Sequence, residues 1–298
     1  MSGLRIYRVE ERPTEVYLES EGAPFPGPRE TRADEPQPLS GRATGSLRGN
    51  SALGPREFYE TLPSTQDRAV ALARAGAREG TRVVARHQTR GRGRLERSWT
   101  SPVGGLYCSI VLPRPREHPG LLPLTVGARL ASALHEAYSA PLALKWPNDL
   151  VVHQRDRPAR KISGILSDEV ASPSLGHAVV TGIGVNIRLP PASLPAELAE
   201  RVAAIEEFAH PPPSLDEVEE LVVRATMGAA EWLSTTGGVR QARDLCRRLL
   251  YGVGRHVSVD GQPAGTLAAL GDEGELWLAT ETDRVAIWAG DVRVEGAP

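Results

Sequence analysis

Between Arg86 and Trp99 the chain sets five arginines (Arg86, Arg90, Arg92, Arg94 and Arg97) against one acid, Glu96, with Gly91 and Gly93 among them. Such a stretch has nothing to bury and must be a loop, in which like charges crowd a backbone free to adopt left-handed conformations. The apolar run Arg82 to Ala85 before it predicts a strand, and Trp99 is placed to pin its far end. The guanidinium groups repel one another until an anion enters. Their planar forks match carboxylate and phosphate oxygens, and glycine lets main-chain N–H groups approach the same oxygens. The loop reads as an anion clamp that orders on its ligand. Taken alone, it is also compatible with a solvated arginine face or a nucleic-acid patch.

The attraction for anions is local, because the formal net charge is only −2 and no basic field covers the whole chain. Its 298 residues exceed one average domain, which predicts a core with one or two smaller units. Two cysteines, Cys108 and Cys246, are too few for a disulfide scaffold and suit a reducing cytosol. Nothing reads as a signal peptide or a membrane span, so a cytoplasmic protein is expected. Of 35 Lys plus Arg residues only Lys145 and Lys161 are lysine, leaving 33 arginines. Where arginine is used so freely, a retained lysine marks a place that needs a compact ammonium in place of a planar fork. Asparagine is as sparse, at 50, 148 and 186, and Lys145 and Asn148 share the pentapeptide Lys145 to Asp149.

Residues 1–55 divide into a loosely alternating stretch, Leu4 to Leu18, that suits a short hairpin, and a Pro/Gly/Arg/Ser-rich linker expected to be partly disordered. No pair of amphipathic helices is evident there. Strands are expected at Phe58–Leu62, Arg82–Ala85, Leu106–Leu112, Leu142–Trp146, Leu150–His153, Ile162–Val170 and Ala178–Ile187. Ser64 to Asp67 opens a helix over Ala69–Ala77; further helices are expected at Leu121–Tyr138, Leu215–Leu233 and Val239–Leu250. Residues 154–160 read as a polar hairpin connection. After Gly252 and Gly254, five short β segments with turns at Asp260-Gly261 and 272–274 predict a small barrel-like unit. The division is therefore an N-terminal extension (1–55), a main domain (56–252) and a small C-terminal domain (253–298).

Several chemistries are excluded by what is missing. Neither lysine follows a glycine, so there is no Walker A loop, and Gly91 to Glu96 lacks the third glycine of a dinucleotide fingerprint. Zinc-ligand spacing and a Gly-x-Ser-x-Gly elbow are absent as well.

What is present falls in a definite order: Gly91, Arg92, Gly93 and Arg94 with Arg97 and Trp99; then Lys145 to Asp149; then Lys161 with Gly164 to Leu166; then Gly182 to Asn186. This series resembles that of the biotin–protein ligases, over about residues 56 to 296. The resemblance implies an α+β fold, a mixed β-sheet catalytic domain of the biotin/lipoate protein ligase type followed by a Src-homology-like β-barrel. It implies ATP and biotin as substrates, with Mg2+: the biotin carboxylate attacks the α-phosphorus, pyrophosphate leaves, and biotinyl-5′-AMP passes biotin to a lysine of a biotin carboxyl carrier protein. By the same resemblance Ser64, Thr65, Gln66, Gln88, Arg92, Gly93, Arg94 and Lys161 contact biotin. Arg94, Arg97, Trp99, Asn148 and Asn186 serve the nucleotide, Lys161 and Arg94 carry the catalysis, and Asp149 is a partner for a cation or the incoming amine. Metal ligands are left unassigned. Without a helix-turn-helix no DNA binding is expected, no membrane is implied, and a homodimer is possible. Three residues depart from the family pattern: Gln66 for an asparagine, Glu96 for a glycine and Asp168 for a glutamate.

Overall fold

A computed structural model describes residues 54–153, 158–189 and 194–295. The hairpin and linker expected before residue 54, and most of the 154–160 connection, lie outside them. The first sheet is built from β1 (Arg56–Leu62), β2 (Arg82–Gln88), β3 (Gly105–Pro113), β4 (Leu142–Lys145), β5 (Asp149–Val152), β6 (Arg160–Ser172) and β7 (Gly176–Asn186). Their order is β1-β2-β3-β7-β6-β5-β4, with β1 and β2 parallel and the other pairs antiparallel.

Alternation along the strands divides the core. Val83, Ala85 and Val111 face α1 (Thr65–Arg74), whereas Val84, Leu106, Cys108 and Ile110 face the opposite layer, formed by α2 (Leu121–Tyr138), α4 (Leu215–Trp232) and α5 (Thr236–Leu249). A four-residue helix, α3 (Ala196–Ala199), and a 3-10 turn at Ile205–Glu207 fill a stretch in which no period was read. The residues between them are held to β6: Lys161 N–H donates to Arg201 O at 2.8 Å, and Ala203 N–H to Lys161 O at 2.9 Å.

Strand ends shift by one to three residues and α5 starts at Thr236 in place of Val239, but the largest move is in the first helix. The first helix runs from Thr65 to Arg74 instead of Ala69–Ala77, because the Ser64 hydroxyl accepts from Asp67 N–H and caps it at residue 64. Gly76, at φ 89°, carries the chain out of the helix. Thr65 and Gln66 therefore occupy its first turn.

The C-terminal segment forms a five-stranded antiparallel sheet, β11-β10-β9-β8-β12, from β8 (His256–Val259), β9 (Gln262–Leu270), β10 (Leu276–Ala279), β11 (Arg284–Ile287) and β12 (Val292–Val294). This is the small barrel-like unit expected. Its core is continuous with that of α2, α4 and α5, and the Trp146 indole N–H donates to Gly274 O at 2.9 Å across the junction.

Candidate active site

Strand register builds the floor of one cleft. Across β3, β7 and β6, Tyr107 stands beside Gly184, which stands beside Gly164; in the next row Ser109, Gly182 and Leu166 are aligned. The missing side chains make room. A Cβ on Gly184 would lie 2.7 Å from the Trp99 indole, and one on Gly182 would lie 2.5 Å from Gln66 Oε1. The periodic glycines thus seat an aromatic ring and an amide on the face of the sheet that carries α1.

One end of the cleft is neutral and polar. Ser109 Oγ donates to Thr65 Oγ1 (3.0 Å), Thr65 Oγ1 to Gln88 Oε1 (3.1 Å), and Gln88 Nε2 to Ser101 Oγ (2.8 Å). Gln66 Nε2 donates to Val180 O (2.8 Å) and Asp168 Oδ2 (3.2 Å), so the amide presents its oxygen. That Oε1 is buried and has no hydrogen-bond partner among the described residues, which is costly for an acceptor unless a ligand N–H meets it. Gln66 and Asp168, two of the three departures from the family pattern, meet here. The longer amide and the shorter acid still span the gap.

The other end is cationic. The arginine loop is a hairpin: Arg92 pairs with Ser98, Gly93 N–H donates to Arg97 O (2.7 Å) and Trp99 N–H to Gly91 O (2.9 Å). Gly91 and Gly93 do not supply the left-handed residues expected of them. Those are Leu95 (φ 52°) and Glu96 (φ 58°) at the two-residue tip, closed by Arg97 N–H to Arg94 O at 3.1 Å. The glycines serve close approach instead, since a Cβ on Gly91 would lie 2.4 Å from Trp99 O. Glu96, where the family pattern has glycine, sits in a conformation that favours glycine.

Arg94 points inward and donates to Asn148 Oδ1 at 3.3 Å; Asn148 Nδ2 is fixed on Ile165 O at 2.6 Å. Desolvation pulls the Arg94 pKa below the usual guanidinium value, with Asp149 opposing the shift. Lys161 Nζ lies 2.6 Å from Asp149 Oδ1, outside hydrogen-bond direction, and 4.8 Å from the centre of the Trp99 ring. Arg97 reaches across to Asp291 of the small barrel at 3.5 Å, and Arg92 bridges Asp67 (2.9 Å) and Asp168 (3.1 Å).

Thr65, Gln66, Gln88, Arg92, Gly93, Arg94, Arg97, Trp99, Asn148 and Lys161 all line this cleft. Ser64 and Asn186 do not. Ser64 is consumed as the helix cap, and Asn186 Nδ2 donates to Ala203 O (3.1 Å) and Lys161 O (3.4 Å), bracing the backbone behind Lys161. Tyr107, Ser109 and Asp291 complete the wall without having been singled out. Their strand alternation against the glycines marks the first two. No local signal marks Asp291, which arrives from the other sheet.

The biotin/lipoate A/B protein ligase family model matches residues 58–186, the stretch that supplies every one of these side chains except Asp291. The fold agrees over a longer span. Biotin protein ligase from Aquifex aeolicus, solved in complex with biotin and ATP, is 28% identical with a TM-score of 0.69, over 80% of this chain and 99% of that one. Residues 58–186 belong to the biotin/lipoate A/B protein ligase family. Among curated members, the bifunctional ligase/repressor BirA of Bacillus subtilis is 28% identical over 80% of this chain and 73% of its own length. The biotin–[acetyl-CoA-carboxylase] ligase of Mycobacterium tuberculosis is 28% identical over 77% and 85%. Relaxing the hairpin tip is expected to tighten closure of the loop. Glu96→Gly removes a left-handed penalty of roughly 1 kcal/mol, so an adenylate held under the loop should dissociate severalfold more slowly in a filter-binding chase. A dissociation rate equal to or faster than that of the parent would show that the tip is not strained.

Proposed function

We propose that this chain is an ATP-dependent biotin–protein ligase that joins biotin, through biotinyl-5′-AMP, to a lysine of a biotin carboxyl carrier protein. The observation that carries this reading is the polarity of the cleft. A neutral end offers the unpaired Gln66 Oε1 to a urea N–H, and the opposite end gathers Arg94, Arg97 and Lys161 for carboxylate and phosphate. Joining two anions needs such cations to neutralise them and hold their atoms in line. Lys161, poised between Asp149 and Trp99, meets the reacting oxygens. Trp99 walls the nucleotide, and the hairpin covers the anhydride against water.

Magnesium is not provided with a protein cage. Asp149 and Asp291 are the carboxylates that line the cleft, and each already faces a cation (Lys161 and Arg97). Among the described residues no group of three or more His, Cys, Asp or Glu gathers to hold a metal. The ion is read as entering with ATP, as part of the substrate. Among the described residues no helix is long and apolar enough to cross a membrane. The reading further places the protein in the cytoplasm, divides it at residues 55 and 252, allows a homodimer and assigns no DNA partner, since 1–55 shows no helix-turn-helix pattern.

Incubation with biotin, ATP and magnesium should yield biotinyl-AMP by mass spectrometry, and addition of a carrier domain should move the label to protein. Preference for lipoate over biotin in a competition assay would overturn the substrate assignment. Gly184→Ala tests the nucleotide wall: the added Cβ displaces Trp99, so the KM for ATP should rise about tenfold while biotin binding, measured by calorimetry, holds. Equal losses for both ligands would mean that the sheet itself had been distorted.

A further inference from the structure

Lys145 ends β4, is half-buried and lines the same cleft, yet it has no task in the adenylation and transfer proposed for that cleft. Its cross-strand partner is Asp149, whose carboxylate is committed to Lys161 at 2.6 Å. Among the described residues no acid stands within ion-pair distance of the Lys145 ammonium and no hydrogen bond holds it. Burial pushes its pKa down, and the more distant Asp149 and Asp291 do not restore it. A desolvated, unpaired cation on the wall of a ligand cleft is costly without a function, and arginine, the chain's habitual cation, was not used here.

The order of strands says which anion fits. Passing across the sheet, the neutral end stands on β3 and β7, Lys161 on β6, Asp149 on β5 and Lys145 on β4. In phosphoryl-type displacement the entering and leaving oxygens lie on opposite sides of phosphorus. With the acyl donor lying on the β3/β7 side and the reacting centre at Lys161, the leaving group departs toward β5 and β4. We propose that Lys145 binds the departing pyrophosphate of the adenylation step, an assignment that rests on the ligase reading. A carboxylate oxygen bonds to the α-phosphorus, the bond from that phosphorus to the α,β-bridging oxygen breaks, and its electron pair leaves on pyrophosphate. The ammonium stabilises that added charge as it develops. Being a compact donor with three N–H groups, it follows the oxygen as the bond lengthens.

The test uses the full chain and inorganic pyrophosphate as the probe. By calorimetry, Lys145→Met should weaken pyrophosphate binding about tenfold, and Lys145→Arg should recover it to within about threefold, a charge-selective rescue that a merely structural lysine would not show. In kinetics, Lys145→Met should slow adenylate formation about tenfold yet leave transfer from chemically prepared biotinyl-AMP to carrier within about threefold of the parent. Pyrophosphate affinity unchanged in Lys145→Met, or equal losses in both half-reactions, overturns the assignment. If the parent forms no biotinyl-adenylate while its pyrophosphate binding depends on Lys145, the ligase reading falls and the pyrophosphate site stands.

Discussion

Arg94→Ala is expected to slow biotinyl-adenylate formation by roughly two to three orders of magnitude while leaving the protein at least as resistant to unfolding as the parent. The two halves of that result have one cause. Arg94 is turned into the cleft and, among the described residues, is held only by the amide oxygen of Asn148 at 3.3 Å; desolvation is the largest influence on it. No carboxylate within ion-pair distance offsets its burial among the described residues, so the folded state carries an electrostatic cost that an anionic ligand removes. Deleting the side chain relieves that cost and also removes the donor that the transition state needs. Single-turnover quench-flow with biotin and MgATP reads the rate, and urea unfolding reads the stability. A variant that is slow because it is destabilised would contradict the argument, as would one that keeps its rate. Arg92→Ala should behave differently. Arg92 is exposed and already bridges Asp67 and Asp168, so its loss is expected to act through the posture of the loop.

How far the sequence carried can be judged from these same residues. The strands and long helices were legible because their apolar periods are clean: α2 falls on Leu121–Tyr138 as expected, and α4, at Leu215–Trp232, ends one residue short of its expected span. The site was legible where a rare residue type or a glycine sits in a motif, which is how Lys161, Asn148 and the arginine loop were found. Tertiary facts were not. That β1 and β2 run parallel, or that β7 lies against β3, depends on long-range pairing that no local pattern encodes. The tip of the hairpin was misjudged because glycine's permissiveness suggested Gly91 and Gly93, whereas the tight approach of the two arms consumes them and leaves the turn to Leu95 and Glu96. Asn186 matched a motif yet serves the backbone behind Lys161, because a motif records position and not the direction of an amide. Asp291 is brought to Arg97 by the packing of one sheet on another, which lies beyond any reading of neighbours in sequence.

The second large effect lies far from the cleft. Arg56 and Arg82 open β1 and β2 and are directly paired in the parallel register, so two guanidinium groups stand side by side at the mostly buried end of the sheet. Glu219 of α4, only 4% exposed, resolves the repulsion: its carboxylate accepts from Arg56 at 2.8 and 2.6 Å and from Arg82 at 3.0 Å. Glu219→Ala should therefore cost about 3–5 kcal/mol of unfolding free energy, because it strands Arg82, itself 6% exposed, without a counter-charge. Asp216, 3.5 Å from Arg56, relieves only the more exposed of the two arginines. The triple change Arg56→Met, Arg82→Met and Glu219→Leu should recover most of that loss or exceed the parent, since an apolar set of similar volume avoids desolvating three charges. Urea titrations of the three proteins decide it. Activity at a temperature where Glu219→Ala remains folded should stay near that of the parent, because the cleft takes Gln88 from the far end of β2. A single variant that loses under about 1 kcal/mol would mean that water reaches Arg82 and that the triad is a surface network.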